Sequence, residues 1–251
     1  MESHYYKEYY KLEREHWWFK ARLDILTSLI QQRIYDGKPL RILNAGVATG
    51  ATSQMLESFG EVISLEYDQD CCNFLNEELK IDVIQGSLTN LPFEDNSFDL
   101  VCAFDVIEHI QEDHQAVKEI KRVLKPKKKF FVTVPAYQFL WSEHDEVNYH
   151  YRRYSRTQLS RLFSETGLSV TLKSYFNSIL FPLIALVRTL SKLSPSKPVH
   201  SKHRSDFEKF TPGKLSDQVL YRIFKTEKFF LKRGIRFPFG VSILMIGQKV
   251  N

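Results

Sequence analysis

The sequence predicts an α/β fold built on a doubly wound, mostly parallel sheet, and three observations support that expectation. The first is the stretch 40–68. It holds an apolar run with Leu40, Ile42 and Leu43, a turn of small residues at 45–50, helix-spaced Ala51, Met55, Leu56 and Phe59, and a second apolar run ending on Glu66. An apolar run bounded by glycine reads as a buried strand. The small residues let the backbone approach a ligand closely, because no Cβ, or only one methyl, stands in the way. Strand, glycine turn, helix, strand and then an acid about twenty residues on is the layout of a nucleotide-binding βαβ unit, with the acid placed for ribose hydroxyls. The second observation is that short apolar runs recur at 82–85, 98–104, 130–134, 168–175 and 241–249. Near-continuous apolar strands separated by helical patterns belong to a sheet covered on both faces. The third is that Gly46, Glu66, Ser87, Asp105 and Pro135 all fall at carboxyl ends of these strands, the edge where such sheets bind ligands.

At 251 residues the chain is long enough for one substantial core. Hydrophobic residues at 43% and charged residues at 26% place it among ordinary globular proteins. The net charge of +5 and pI near 8.9 fit a lysine-rich surface, and no large basic face or target-recognition segment points to nucleic acid. Cys71, Cys72 and Cys102 have no metal-ligand spacing and suit a reducing, cytoplasmic setting. The first residues contain no apolar signal core. No run reaches the roughly 18 apolar residues of a membrane span, and the best candidate, 179–187, contains Pro182.

Residues 5–34 are expected to form one helix, with Trp18, Ala21, Ile25 and Leu29 at helical spacing. Its aromatic cluster (Tyr5, Tyr6, Tyr9, Tyr10, Trp17, Trp18, Phe19) either packs it on the sheet or lids a ligand. Asp36-Gly37-Lys38-Pro39 breaks the helix before the first strand. The glycine turn then discriminates among nucleotide folds. A dehydrogenase unit needs G-x-G-x-x-G and a P-loop needs Gly-Lys-Ser/Thr, and neither is here. Leu43-Asn44-Ala45-Gly46-Val47-Ala48-Thr49-Gly50 instead resembles the first motif of class I S-adenosylmethionine-dependent methyltransferases, Leu-Asp-x-Gly-x-Gly-x-Gly, with Asn44 in place of the acid and Ala48 in place of a glycine. A helix at 69–79 and a third strand at 82–85 lead to Gly86-Ser87-Leu88, where the family usually has Gly-Asp. Ser87 keeps a hydrogen-bonding hydroxyl without the charge. Leu91-Pro92-Phe93 and Ser97-Phe98-Asp99-Leu100-Val101 are similar to the family's segment before the fourth strand. Asp105-Val106-Ile107-Glu108-His109 matches one that lines the cofactor and acceptor side, where Glu108 and His109 are expected to be structural. Ala116, Val117, Ile120, Val123 and Leu124 share one helix face, which Lys125-Pro126 ends.

Residues 135–154 follow neither helical nor strand period and are expected to be a loop at the ligand edge, where functional groups concentrate. Trp141-Ser142-Glu143-His144-Asp145 and His150-Tyr151-Arg152-Arg153-Tyr154 resemble a subgroup of bacterial and archaeal methyltransferases (type 11/12/23-like). That subgroup also shares His16-Trp17-Trp18-Phe19 and Tyr175-Phe176-Asn177-Ser178 with Pro182, so the resemblance covers most of residues 15–190. Ser155 and Gln158 form a capping box that opens a helix, followed by a strand at 168–175, an apolar helix at 179–190, a polar basic segment at 191–214 and a final helix at 215–231.

The resemblance implies a Rossmann-like, seven-stranded sheet whose last strand is antiparallel, with an N-terminal helix and a helical insertion before that strand. It implies a single methyltransferase domain over 1–251: a helical lid at 1–37, a cofactor-binding core at 38–175, a helical and basic insertion at 176–239, and the last strand at 240–251. The cofactor implied is S-adenosyl-L-methionine. Asn44, Ala45, Gly46, Ala48 and Gly50 would surround its methionine part, with the amides of the following helix on the carboxylate. Glu66 would take the ribose hydroxyls, Tyr67, Ser87 and Leu88 the adenine, and Asp105 the facing wall. Methyl transfer is direct displacement at a carbon activated by a sulfonium, so the protein mainly aligns the acceptor and excludes water. No metal is expected. For a hydroxyl acceptor a base helps remove the proton: His144, beside Asp145, is the first candidate and His150 the second. The competing reading has His144 and Asp145 bracing the loop through Arg152 or Arg153, which could alternatively hold an acidic acceptor. The acceptor expected is a small molecule or a glycan- or lipid-linked one, methylated at oxygen, with peripheral membrane contact through 176–214. The alternative is a non-catalytic or weakly active cofactor-binding protein on the same fold, given the departures at Asn44, Ala48 and Ser87. Retention of Glu66 favours the enzyme.

Overall fold

Seven strands form one sheet in the computed structural model, which describes residues 3–193 and 213–250. They are β1 (Leu40–Ala45), β2 (Gly60–Glu66), β3 (Ile84–Gln85), β4 (Phe98–Phe104), β5 (Leu124–Pro135), β6 (Leu168–Phe176) and β7 (Ser242–Lys249). Their order is β3-β2-β1-β4-β5-β7-β6. The pairs β1–β2, β2–β3, β1–β4 and β4–β5 are parallel, and β7 runs antiparallel to both β5 and β6. The chain winds outward from β1 in one direction and then returns to place β4 on its other side. At such a reversal the two crossovers leave on opposite faces, and a crevice opens above the strand ends.

Helices cover both faces, as apolar parallel strands require. One face is packed by α5 (Asp113–Val123) and α7 (Arg156–Glu165), through Ala116, Val117, Ile120, Leu159 and Phe163. Phe130 of β5 stacks on Phe163 with ring centres 4.5 Å apart. The other face takes α2 (Trp17–Arg33) and α9 (Gly213–Lys232), through Ala21, Ile25, Leu29 and Phe224. Each of the valine, leucine, isoleucine and phenylalanine side chains removed from water contributes about 1.5–3 kcal/mol. The remaining α-helices among the described residues are α1 (Ser3–Glu15), α3 (Ala51–Leu56), α4 (Gln69–Glu77), α6 (Glu143–Val147) and α8 (Phe181–Leu193).

Three local expectations are corrected. The N-terminal segment is two helices, because His16 adopts an extended backbone (ψ 135°) and its ring accepts a hydrogen bond from Trp18 N, capping α2 afresh. Residues 135–154 are not all loop: a 3-10 turn at Gln138–Leu140 and α6 lie within them. The latter is capped by Ser142 and Asp145 in a reciprocal box. Finally, β5 begins at Leu124 and runs through Pro126, earlier than its apolar stretch suggests. Most of the basic segment at 191–214 lies outside the described residues.

Candidate active site

Above the carboxyl ends of β1, β2, β4 and β5 lies a cavity of about 1580 Å³, and Gly46, Glu66, Ser87, Asp105 and Pro135 all line it. Its floor is the turn after β1. Gly46 has φ +74°, and a Cβ there would sit 2.4 Å from Val106 Cγ2. Glycine is therefore required for two reasons, the left-handed backbone and the contact with the turn after β4. Ala48 is also left-handed (φ 47°), a conformation that costs a residue with a Cβ roughly 1–2 kcal/mol. Gly50 (φ 87°) caps α3.

Glu66 ties this turn to β2. Its Oε2 accepts from Ala48 N at 3.1 Å, and Oε1 accepts from Tyr67 N at 2.8 Å and Asp68 N at 3.2 Å. Tyr67 projects its ring into solvent at the cavity edge, 73% exposed, while Leu88 is buried on the wall. The Ser87 hydroxyl accepts from Thr89 N at 3.2 Å and pairs with the Thr89 hydroxyl at 2.8 Å. Asn44 and Ala45 are buried behind the turn. The Asn44 amide donates to Thr52 Oγ1 at 2.8 Å and Ser53 Oγ at 3.0 Å, which fastens β1 to α3.

The two N-terminal helices close over this half of the cavity. Tyr6 donates to Asp68 Oδ1 at 2.8 Å, Thr49 donates to Glu13, and Arg14 donates to the Thr49 carbonyl at 3.2 Å. Burial pushes the Glu13 carboxyl above its ordinary range. From α2, Arg22 reaches Asp105 Oδ2 at 2.5 Å and Thr133 Oγ1 at 3.1 Å. Sequence reasoning named Tyr6 only within the aromatic cluster that packs the helix or lids a ligand, and it missed Glu13 and Arg22 as site residues. A signal existed for Arg22, which stands four residues after Trp18 on the buried stripe of an otherwise apolar helix face.

The other end of the cavity is built by the turn after β4 and the segment around α6. Asp145 is fully buried and does not face the cavity. Its Oδ1 accepts from Arg153 Nε (2.7 Å) and pairs with His150 Nδ1 (2.8 Å), while Oδ2 accepts from Arg153 Nη2 (2.9 Å) and Ser142 N (2.8 Å). Burial alone would raise this carboxyl, but the His150 and Arg153 hydrogen bonds bring it below the ordinary range. His144 and His150 both line the cavity, with ring centres 6.0 Å apart. Arg152 is held by Asp113 at 2.7 Å and the Gln111 carbonyl at 2.9 Å, so both arginines of the segment serve internal acids. Glu108 lines the cavity although fully buried, and neither of its carboxylate oxygens has a hydrogen-bond partner among the described residues. Burial, and then the Asp105 carboxylate, raise its pKa well above normal. The imidazole of His109 beside it keeps an exposed face, and its crowded surroundings push it down to about 4, by desolvation first and by His150 second. Glu108, His109 and His150 bring one ligand atom each within 4.8 Å of one another, a grouping that linear spacing conceals. From α8, Leu183, Ile184 and Val187 line the mouth.

A family model described as a methyltransferase domain matches residues 43–132, the span from β1 into β5. A protein of Mycolicibacterium smegmatis named as a probable S-adenosylmethionine-dependent methyltransferase is 29% identical over 164 residues, 63% of this chain and 62% of that one. The match thus spans about three fifths of that relative's length. An uncharacterized protein of Methanocaldococcus jannaschii is 28% identical over 205 residues, 81% of each chain. Among solved structures, phosphoethanolamine N-methyltransferase 2 of Haemonchus contortus in complex with S-adenosyl-L-methionine superposes with a TM-score of 0.56. It is 17% identical and is matched over 90% of this chain and 52% of its own, a likeness of fold.

Proposed function

The chain belongs to the class I S-adenosylmethionine-dependent methyltransferases, and from that premise we propose that it moves the methyl group of S-adenosyl-L-methionine to a hydroxyl oxygen of a lipid- or glycan-linked acceptor. The observation that carries the cofactor half is Glu66, held by three backbone amides at the edge of a cavity shared by the turns of four strands. A carboxylate has about four lone-pair sites. Three amides leave at least one for a ribose hydroxyl. In this reading Gly46 and Ala48 pass against the methionine part, Tyr67, Ser87 and Leu88 take the adenine, and Asp105 stands on the facing wall. Asn44, Ala45 and Gly50 act from behind, by fixing the shape of the turn.

The acceptor half rests on two features. Leu183, Leu186 and Leu190 of α8 are all more than half exposed, next to the cavity mouth, which suits an acceptor with an apolar chain and contact of α8 with a membrane surface. At the inner end, Asp145 orients His150 and His144 stands beside it, so the Asp145–His150 pair meets the acceptor hydroxyl. Incubating the protein with methyl-tritiated S-adenosylmethionine and fractionated cell-envelope extracts tests the assignment. Label in solvent-extractable lipid or lipid-linked glycan is expected, and label confined to protein or nucleic acid would refute the acceptor class.

A further inference from the structure

At the acceptor end two separate turns converge. Glu108 and His109 follow β4, and His150 follows α6. The His109 and His150 rings meet edge to face with centres 4.5 Å apart, and with Glu108 they offer three ligand atoms within 4.8 Å. Three features distinguish this group from an accidental cluster. Glu108 is wholly buried beside the cavity, and its two carboxylate oxygens have no hydrogen-bond partner among the described residues; an unsatisfied buried acceptor costs about 1–3 kcal/mol. His150 has its Nδ1 taken by Asp145 at 2.8 Å, which leaves Nε2 to ligate. Outer acceptors of this kind fix the tautomer and orientation of imidazoles that bind metals. Arg22 and Arg153 nearby are each paired with an acid, Asp105 and Asp145, so neither stands as a free cation against an ion here.

We propose that Glu108, His109 and His150 hold one divalent first-row transition metal ion at the acceptor end of the cavity. Two imidazole nitrogens and one carboxylate oxygen form the donor set of zinc sites that keep an open position. That position faces the cavity and takes water or an oxygen atom of the acceptor. Bonds of about 2.1 Å place two ligands no more than about 4.2 Å apart, so the three side chains close in by small rotations. A metal there would acidify a bound hydroxyl, and His150 would then act by holding the ion. Only this last step rests on the methyl-transfer reading.

The full chain, freed of metal with a chelator, is titrated with Co²⁺ and Zn²⁺ while visible absorption and heat are followed. The expected result is one equivalent of Co²⁺ with the d–d bands of a four- or five-coordinate site, displaced by Zn²⁺. Glu108→Gln, which is isosteric, and His109→Asn, each checked for folding by circular dichroism, should each weaken binding by about 100-fold or more. Absence of a stoichiometric site in the wild-type protein, or variants that bind as tightly as wild type, would overturn the proposal. S-adenosylhomocysteine titrated into the metal-free protein reads the cofactor site separately, so one result can fail without the other.

Discussion

The carboxylate of Glu66 accepts a hydrogen bond from the Ala48 amide at 3.1 Å. The acid at the end of β2 and the turn after β1 are thereby one preassembled unit. Replacing Glu66 by Ala deprives three amides of their acceptor and removes the proposed ribose contact. S-adenosylhomocysteine should bind at least about tenfold more weakly, with folding stability lower by about 1–3 kcal/mol. Calorimetry and urea unfolding measure the two effects, and unchanged affinity would show that the acid is misassigned.

Gly46 stands where β1 and β4 diverge. An alanine there must hold φ +74° and accommodate a methyl 2.4 Å from Val106 Cγ2. We expect Gly46→Ala to lose about 2–4 kcal/mol of stability, from backbone strain and overpacking together. Urea denaturation checks this, and a loss below about 0.5 kcal/mol would mean that the turn is far softer than described.

Arg22 links the lid helices to the β4 end through Asp105 at 2.5 Å. Arg22→Met leaves that carboxylate with its cation gone and should cost about 3 kcal/mol. Because Asp105 lines the cavity, cofactor affinity should fall as well. Wild-type stability in the variant would show that the pair is not coupled to folding.

Glu227 on α9 gives a pH test. Its Oε1 accepts from Ser178 N at 2.6 Å and Ile179 N at 2.9 Å, pinning the chain before α8. Burial outweighs these hydrogen bonds and raises the carboxyl to about 7. Between the unfolded value near 4.5 and the folded value the native state holds a proton that the unfolded chain has lost, so this group's contribution falls as pH rises through that window. Glu227→Gln removes the penalty. It should match wild type near pH 4.5 and exceed it by about 1–3 kcal/mol near pH 8. His109 acts with the opposite sign: its neutral form is favoured in the fold, so stability is lost as pH falls from about 6.5 toward 4. Taking the difference between variant and wild type at each pH isolates Glu227. Parallel pH curves for the two proteins would contradict the assignment.

The sheet was legible because apolar runs and their glycine boundaries are local properties. Gly46, Glu66, Ser87, Asp105 and Pro135 could be placed on one edge from strand ends alone. The break at His16 was not legible, since the helical spacing continues across it and only the ring's bond to Trp18 N restarts the helix. Nor could spacing reveal which arginine meets Asp145. The bend after α6 brings Arg153 back to it, while Arg152 points to Asp113. Glu108 and His150 meet because the sheet sets the β4 and β5 turns side by side, a long-range consequence of topology. An acid set among Val106, Ile107 and Ile110 was the one local hint that Glu108 is buried.

Titration of the full chain with S-adenosylhomocysteine in a calorimeter asks whether turns distant in sequence hold one adenosyl cofactor. One site per chain is expected, with a dissociation constant of about 1–100 µM, or about −5.5 to −8 kcal/mol, and no heat from NAD. A folded protein that takes up no S-adenosylhomocysteine at about millimolar concentration, or binds NAD in its place, would contradict it.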